Sequence, residues 1–478
     1  MHTLLALLLA VTPAQFARDW RVAHEKEIVA ELSALLAIPN LASDKPNIER
    51  NAAAIAEAFT RRGAVVKLLR VEGAPPLVVA TVADGLRTRP TYTFYAHYDG
   101  QPLDPAQWTS PPWEPVLRGT GPEARLYARS ASDDKAPIVA MLAALDAMRA
   151  AKVEPGVNLK FVFEGEEEAG SPHLAGYISQ YPDELATDGW LLCDGPVHQS
   201  RHSQLYFGAR GVTDLEITVY GPARPLHSGH YGNWAPNPIV ALTHLIDSLR
   251  DAEGRIPVEH FYDDVTPLTP AERAALAAIP PFDDSIRREL ALGRTEGTLP
   301  LNEAILQPAL NLRGIAGGRV GEQASNSIVT EARASIDFRL VPAQTPERVR
   351  ALIEAHLAKQ GWFIVRDDPD VATRLAHPRV AKLAWGHGYP SARTPLDAPL
   401  SRQVADVLTA ATGVAPYRLP SLGGSVPMHL FTDSGRTPVV GVPIVNHDNN
   451  QHAANENVRL QNLWDGIELF AALFSGLR

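Results

Sequence analysis

Apolar and polar residues along this chain fall into two kinds of pattern. In the first, short apolar runs alternate with segments of helical spacing. Ile28, Val29, Leu32 and Leu35 share one side of a helix over 25–36, and Ile138, Val139, Leu142, Leu145 and Met148 do the same over 136–150. Runs at 77–82, 92–95, 159–163, 190–193 and 438–442 are apolar or rich in β-branched and aromatic residues, and they predict strands. Such strands, alternating with helices, predict an α/β domain with a mainly parallel sheet flanked by helices.

The second pattern begins at 212–220. Leu215, Ile217 and Val219 alternate with Glu216 and Thr218, the mark of a strand with one wet face. Residues 334–340 repeat it, with Ile336, Phe338 and Leu340 on one side. Helical segments over 238–249 and 346–358 accompany these strands. The expectation is a small α+β domain inserted over 208–390, so that the α/β domain comprises 18–207 and 391–478. Within the insert, 254–312 is rich in Pro, Asp and Glu and reads as an elaboration of it.

Length agrees with two domains, since 478 residues exceed what one compact core usually holds. The net charge of −10 argues against a nucleic-acid partner, which needs a basic surface. Cys193 is the single cysteine, so neither an intrachain disulfide nor a cysteine-based zinc site is available. Residues 1–17 hold an apolar run, 4–11, followed by Ala14 and Ala17 as cleavage points, which predicts a signal peptide and a periplasmic or secreted protein. The alternative is an N-terminal helix packed on the body, and a cytoplasmic protein. No later run reaches the roughly 20 apolar residues of a membrane span.

Five polar clusters change the picture, most of them just after a predicted strand. YAHYDGQP places His97 and Asp99 two apart, on one side of an extended segment, where the carboxylate can orient the imidazole. ARSASDDKAP sets Asp133 and Asp134 before a helix; one helix cap would need one aspartate. FEGEEEAGS crowds Glu166, Glu167 and Glu168 behind Glu164. Asp194 ends a strand, and NHDNNQHAANENV carries His447 and His452. Each cluster alone has a plainer explanation, as a turn, a cap or a solvated charge. Brought to one sheet edge, His97, Asp133, Glu168, Asp194 and a late histidine make an all-N/O set suited to Zn²⁺ or Mn²⁺ and large enough for two ions. A spare glutamate beside such ions is a general base.

In this order the motifs H-x-D at 97–99, S-D-D-K at 132–135, E-E-x-G-S at 167–171, Asp194, and H-x-x-N-E at 452–456 resemble those of the dinuclear metallopeptidases. That family includes the aminoacylases, acetylornithine deacetylase, glutamate carboxypeptidase and the carnosinases, and the nearest likeness is to its cytosolic nonspecific dipeptidase/carnosinase branch. The likeness continues through PLHSGHYGN, FYDD and FRLVPAQTPE in the insert. It implies two divalent metal ions per subunit, Zn or Mn. His97 and Asp194 would bind one, Glu168 and His452 the other, and Asp133 would bridge them. It makes Glu167 the general base and Asp99 the partner of His97. Glu166 and His447 receive no role.

The same resemblance makes the insert a lid and dimerisation domain. In a homodimer His227 would reach the partner's site and stabilise the oxyanion. Arg339 would hold the substrate's terminal carboxylate and Ser425 would contact substrate. Asn326 and His387 are further substrate-binding candidates. The implied function is hydrolysis of dipeptides or short peptides with a free C-terminal carboxylate. The alternative is a deacylase of N-acyl amino acids with the same metal ligands. A metal-bound scaffold would have no need of Glu167.

Overall fold

The computed structural model describes residues 12–82, 88–432 and 436–478. Most strands fall into two sheets. The larger has eight, in the order Val65–Leu69, Leu77–Val82, Asn158–Glu164, Thr91–His97, Gly189–Leu192, Val439–Gly441, Gln204–Tyr206 and Tyr417–Leu419. Its middle four run parallel, and antiparallel strands join on both sides. All five runs predicted as strands lie in this sheet. The helices Pro13–Leu36, Lys135–Ala151 and Leu460–Gly476 pack together with one face of it. Phe474 meets Phe94 and Phe161 edge-on there, with ring centroids 4.9 and 5.5 Å apart, a favoured aromatic geometry.

The helix expected over 25–36 begins earlier, at Pro13, where Thr12 caps the backbone N–H of Gln15. Its backbone leaves helical geometry at His24, just before the stretch whose spacing predicted a helix. This helix corrects the expected signal peptide. The apolar run 4–11 lies outside the described residues, but Ala14 and Ala17, the expected cleavage points, are buried within the helix. Arg18 and Arg21 reach from it to Glu468, at 2.6 and 3.1 Å. Cleavage at either alanine would cut into a packed helix, so the expectation of a periplasmic or secreted protein does not stand. Among the described residues no helix is long and apolar enough to cross a membrane.

The second sheet has five strands in the order Ala309–Ala316, Glu331–Leu340, Gly211–Tyr220, Val380–Tyr389 and Phe363–Val365. The first four are antiparallel neighbours. Leu215, Ile217, Val219, Ile336, Phe338 and Leu340 bury one face against the helices Pro238–Leu249 and Pro346–Lys359. Thr218, expected on the wet face, is covered. The helix Pro270–Ala277, closed by a capping box between Thr269 and Glu272, returns from the 254–312 segment to the edge strand Tyr417–Leu419 of the larger sheet.

One contact ties the larger sheet to the functional residues. The Tyr206 ring lies across Gly441, and its hydroxyl donates to the carbonyl of Asp194 at 2.9 Å. A Cβ on Gly441 would collide with that ring. Gly441→Ala is therefore expected to lower unfolding free energy by about 1–3 kcal/mol in a denaturant titration. An unchanged midpoint would show that the ring does not need the glycine.

Candidate active site

Parallel strands carry three of the five motifs to one edge of the eight-stranded sheet. Thr91–His97 ends on His97, which lies beside Glu164 in the register. Asn158–Glu164 leads directly into the glutamate triplet. Gly189–Leu192 is followed by Cys193, whose N–H donates to Tyr95 O at 2.9 Å, and then by Asp194. The carboxyl edge of an open α/β sheet is where ligands collect. Asp133 and Asp134, joined by a cis peptide bond, immediately precede the helix Lys135–Ala151. Asp134 holds the cap position, yet its side chain makes no capping bond, so helix capping does not account for the pair.

The side chains converge in two groups. Ligand atoms of His97, Asp134 and Asp194 lie within 4.8 Å of one another, and so do those of Asp133, Glu168 and His452. Asp133 also joins the groups. One of its oxygens is 2.9 Å from Nε2 of His97, and the other is 3.1 Å from Nε2 of His452. His452 is also 3.4 Å from Glu168. The structure thus brings together all five sequence-predicted ligands and adds Asp134, which was not among them.

Two further carboxylates hold the framework. Asp99 stands 3.4 Å from Nδ1 of His97 and accepts the backbone N–H groups of Glu167 and Glu168, at 3.1 and 3.0 Å. It therefore positions the triplet as well as the imidazole. Glu456 accepts the N–H groups of Ser130, Ser132 and Asp133 at 2.9, 3.0 and 2.9 Å, and pairs with buried Arg129 at 2.8 Å. Sequence reasoning quoted Glu456 within a motif and gave it no function. Only its contacts, more than 320 residues away in the chain, disclose one. Glu166 turns aside to accept the backbone N–H of His173 at 3.1 Å, with the His173 ring at 2.9 Å. His447 is half-buried outside both groups.

The donor set fits divalent cations. Burial, followed by repulsion from Asp133, pushes Glu168 up to about 8 and Asp194 up to about 6. Burial also drives Glu167 and Asp134 well above the usual carboxylate range. Asp133 goes the other way: hydrogen bonds from His452 and His97 overcome its burial and hold it low. Among the described residues no lysine or arginine pairs with any of these five acids. Oxygen and imidazole donors of this kind suit Zn²⁺ or Mn²⁺, and two groups sharing Asp133 suit two ions.

A cavity of about 590 Å³ joins this cluster to the five-stranded sheet. Asp133, Glu167, Asp194 and His452 line it, and so do Arg339 and Ser425. Arg339 sits on the polar side of its strand, donating to Ser425 Oγ at 2.8 Å and to Asp337 at 2.9 Å. Val212 pairs with Arg339 on one side and with Tyr389 on the other, so the three share a face, and all line the cavity. Burial, then the nearby Glu167 charge, pushes the Tyr389 phenol up to about 12, so it remains a donor. Sequence reasoning missed Tyr389, because two glycines and a histidine interrupt the alternation before it.

His227, Asn326 and His387 are not brought to this cluster within one chain. His227 and Asn326 are exposed neighbours on a small ladder, Leu226–His227 against Ser327–Ile328, where Asn326 O accepts the Ser228 N–H at 2.9 Å. His387 is exposed on Val380–Tyr389.

Comparison with known proteins agrees with this geometry. Cys-Gly metallodipeptidase dug1 of Schizosaccharomyces pombe is 27% identical, over 93% of this chain and 94% of its own. The Beta-Ala-His dipeptidase of Homo sapiens is 28% identical, over 84% of this chain and 77% of its own. Among solved structures, the M20 family metallo-carboxypeptidase Sso-CP2 of Sulfolobus solfataricus superposes with a TM-score of 0.80 at 26% identity, covering 94% of this chain and 99% of that one. Residues 93–475 match the peptidase family M20/M25/M40 as a whole, and the chain belongs to that family.

Proposed function

We propose that this protein is a metal-dependent dipeptidase that hydrolyses dipeptides or short peptides with a free C-terminal carboxylate. The observation that carries the reading is the single cavity running from the paired acid and imidazole groups to Arg339 and Ser425. The dipeptidase names of the relatives support it, and nothing observed favours the N-acyl amino acid deacylase.

His97 and Asp194 would hold one ion, Glu168 and His452 the other, with Asp133 between them; Zn²⁺ and Mn²⁺ both suit these donors. Bound there, the ions supply Lewis acidity and lower the pKa of water. Glu167 lines the cavity and makes no side-chain hydrogen bond among the described residues, so its carboxylate is free to take the proton of the attacking water and pass it to the leaving amine. Asp99 keeps Glu167 and Glu168 in place through their N–H groups. Arg339 and Ser425 receive the substrate carboxylate, a pairing in which the planar guanidinium offers two parallel donors. Segment 208–390 would act as the lid and as the surface of a homodimer. His227 would reach the oxyanion from a second copy of the chain, which fits its exposure and its distance from the cavity of its own chain.

The direct test strips the protein with chelator, restores Zn²⁺ or Mn²⁺, and follows amino-acid release from dipeptides and N-acetyl amino acids. Metal-restored cleavage of dipeptides alone is expected; cleavage confined to the acetylated compounds would move the protein to the deacylase reading. Glu167→Gln and His227→Ala are each expected to lose turnover while keeping metal content. Mixing the two chains should restore part of it, because a mixed dimer holds one intact site. Recovery on mixing rules out action within one chain, and its absence removes His227 from the partner's site. Arg339→Ala should raise KM for free dipeptides by about tenfold or more, the loss of a charge-assisted pair of roughly 1.5–3 kcal/mol. An unchanged KM would dismiss Arg339 as the anchor.

A further inference from the structure

The segment 254–312 was singled out by its composition, and the functional reading leaves it without a task. Its end is built into the substrate cavity. Leu301, Asn302 and Ile305 line the wall near Arg339 and Ser425. Ile305 packs against the loop that bears Ser425: a Cβ placed on Gly423 would stand 3.3 Å from Cγ2 of Ile305. The bare Gly423 and Gly424 leave the space beside Ser425 to be filled from the segment.

The segment is held there firmly. Buried Arg210 donates in two directions, from its backbone N–H to Gly424 O at 3.2 Å and from Nη2 to Gln307 O at 2.9 Å. This strut binds the Ser425 loop to the end of the segment. Further back, Glu272 of the segment pairs with Arg393 at 3.0 Å, both well covered, and Ile279 is buried against the larger sheet. Leu306, beside Ile305, is buried as well. At Ile305 and Leu306 the wall is therefore tied to the packed body, while Leu301 at its rim is exposed.

Resting on the dipeptidase reading above, we infer that Ile305, with Leu301 beside it, selects the side chain of the substrate's C-terminal residue and favours an apolar one. A carboxylate on Arg339 and Ser425 fixes the Cα one bond away, and the side chain on that carbon then faces the wall that Ile305 completes against Gly423. Val212, the cross-strand neighbour of Arg339, also lines the cavity and is apolar. Arg339, which lines the cavity itself, places a positive charge there and disfavours a cationic side chain. Residue identity at the C-terminal position is thus read by a segment outside both sheets.

The test compares kcat/KM for Ala-Gly, Ala-Leu and Ala-Lys in the wild-type protein and in Ile305→Ala, with bound metal measured in each. The wild-type protein is expected to prefer Ala-Leu over Ala-Gly by about tenfold, the scale of burying part of a leucine side chain. Ile305→Ala should bring that ratio towards one through a larger loss on Ala-Leu than on Ala-Gly. Ile305→Asp should raise Ala-Lys relative to Ala-Leu, a change that general loosening of the fold would not produce. A wild-type ratio near one, or a ratio unmoved in both variants, overturns the inference. Failure to cleave any of the three dipeptides would instead overturn the dipeptidase reading itself.

Discussion

Negative charge without a matching side-chain cation is the constraint around which this molecule is arranged. Asp133, Asp134, Glu167, Glu168 and Asp194 share one sheet edge with two imidazoles and no lysine or arginine partner among the described residues. Removing a carboxylate from water costs several kcal/mol unless a counter-charge meets it. The fold deals with its acids by dividing them. Asp99 and Glu456 are fully buried, but backbone N–H groups satisfy them, and they fix the loops on which the other acids stand. The remaining five keep lone pairs open. Only acids of this second kind can hold an ion, and the first kind determines where they point.

The legible part of this site was the part that follows from strand ends. Each of His97, Glu168 and Asp194 lies within a few residues of an apolar run, and the parallel order of those runs brings them to one edge. The pair Asp133–Asp134 was legible as an excess over helix capping, and the structure shows that capping is not used at all. Contacts at long range were not legible. Glu456 reads as one acid in a polar loop until its bonds to Ser130, Ser132 and Asp133 are known. Tyr389 joins Arg339 through the register on either side of Val212, and register cannot be read from a strand whose alternation is broken at Gly386 and Gly388. The N-terminal expectation failed for a different reason. A short apolar run followed by alanines is shared by leader peptides and by helices that pack on a body. Contacts such as Arg21 to Glu468 decide between them, and those contacts are invisible in the local sequence.

The distribution of groups between the two sheets limits which substrates the site can serve. Every candidate metal ligand belongs to the eight-stranded sheet or its connections, whereas Arg339 stands on the five-stranded sheet. Ser425, on the loop following Tyr417–Leu419, meets Arg339 through one 2.8 Å hydrogen bond. A substrate carboxylate placed on that pair bonds to both units at once, so its binding energy acts on their relative position and not only on affinity. In the proposed reading the anchored carboxylate belongs to the residue after the scissile bond, and a chain extended at its C-terminus has no carboxylate at that place. The anchor alone does not separate a dipeptide from an N-acyl amino acid, since both end in the same group. That distinction falls to the acid-lined part of the cavity, where the acids themselves meet the substrate's amine or acyl group. The proposed anchor therefore leaves the choice of N-terminal group to the residues around the candidate metal ligands, and it does not by itself set the length of the substrate.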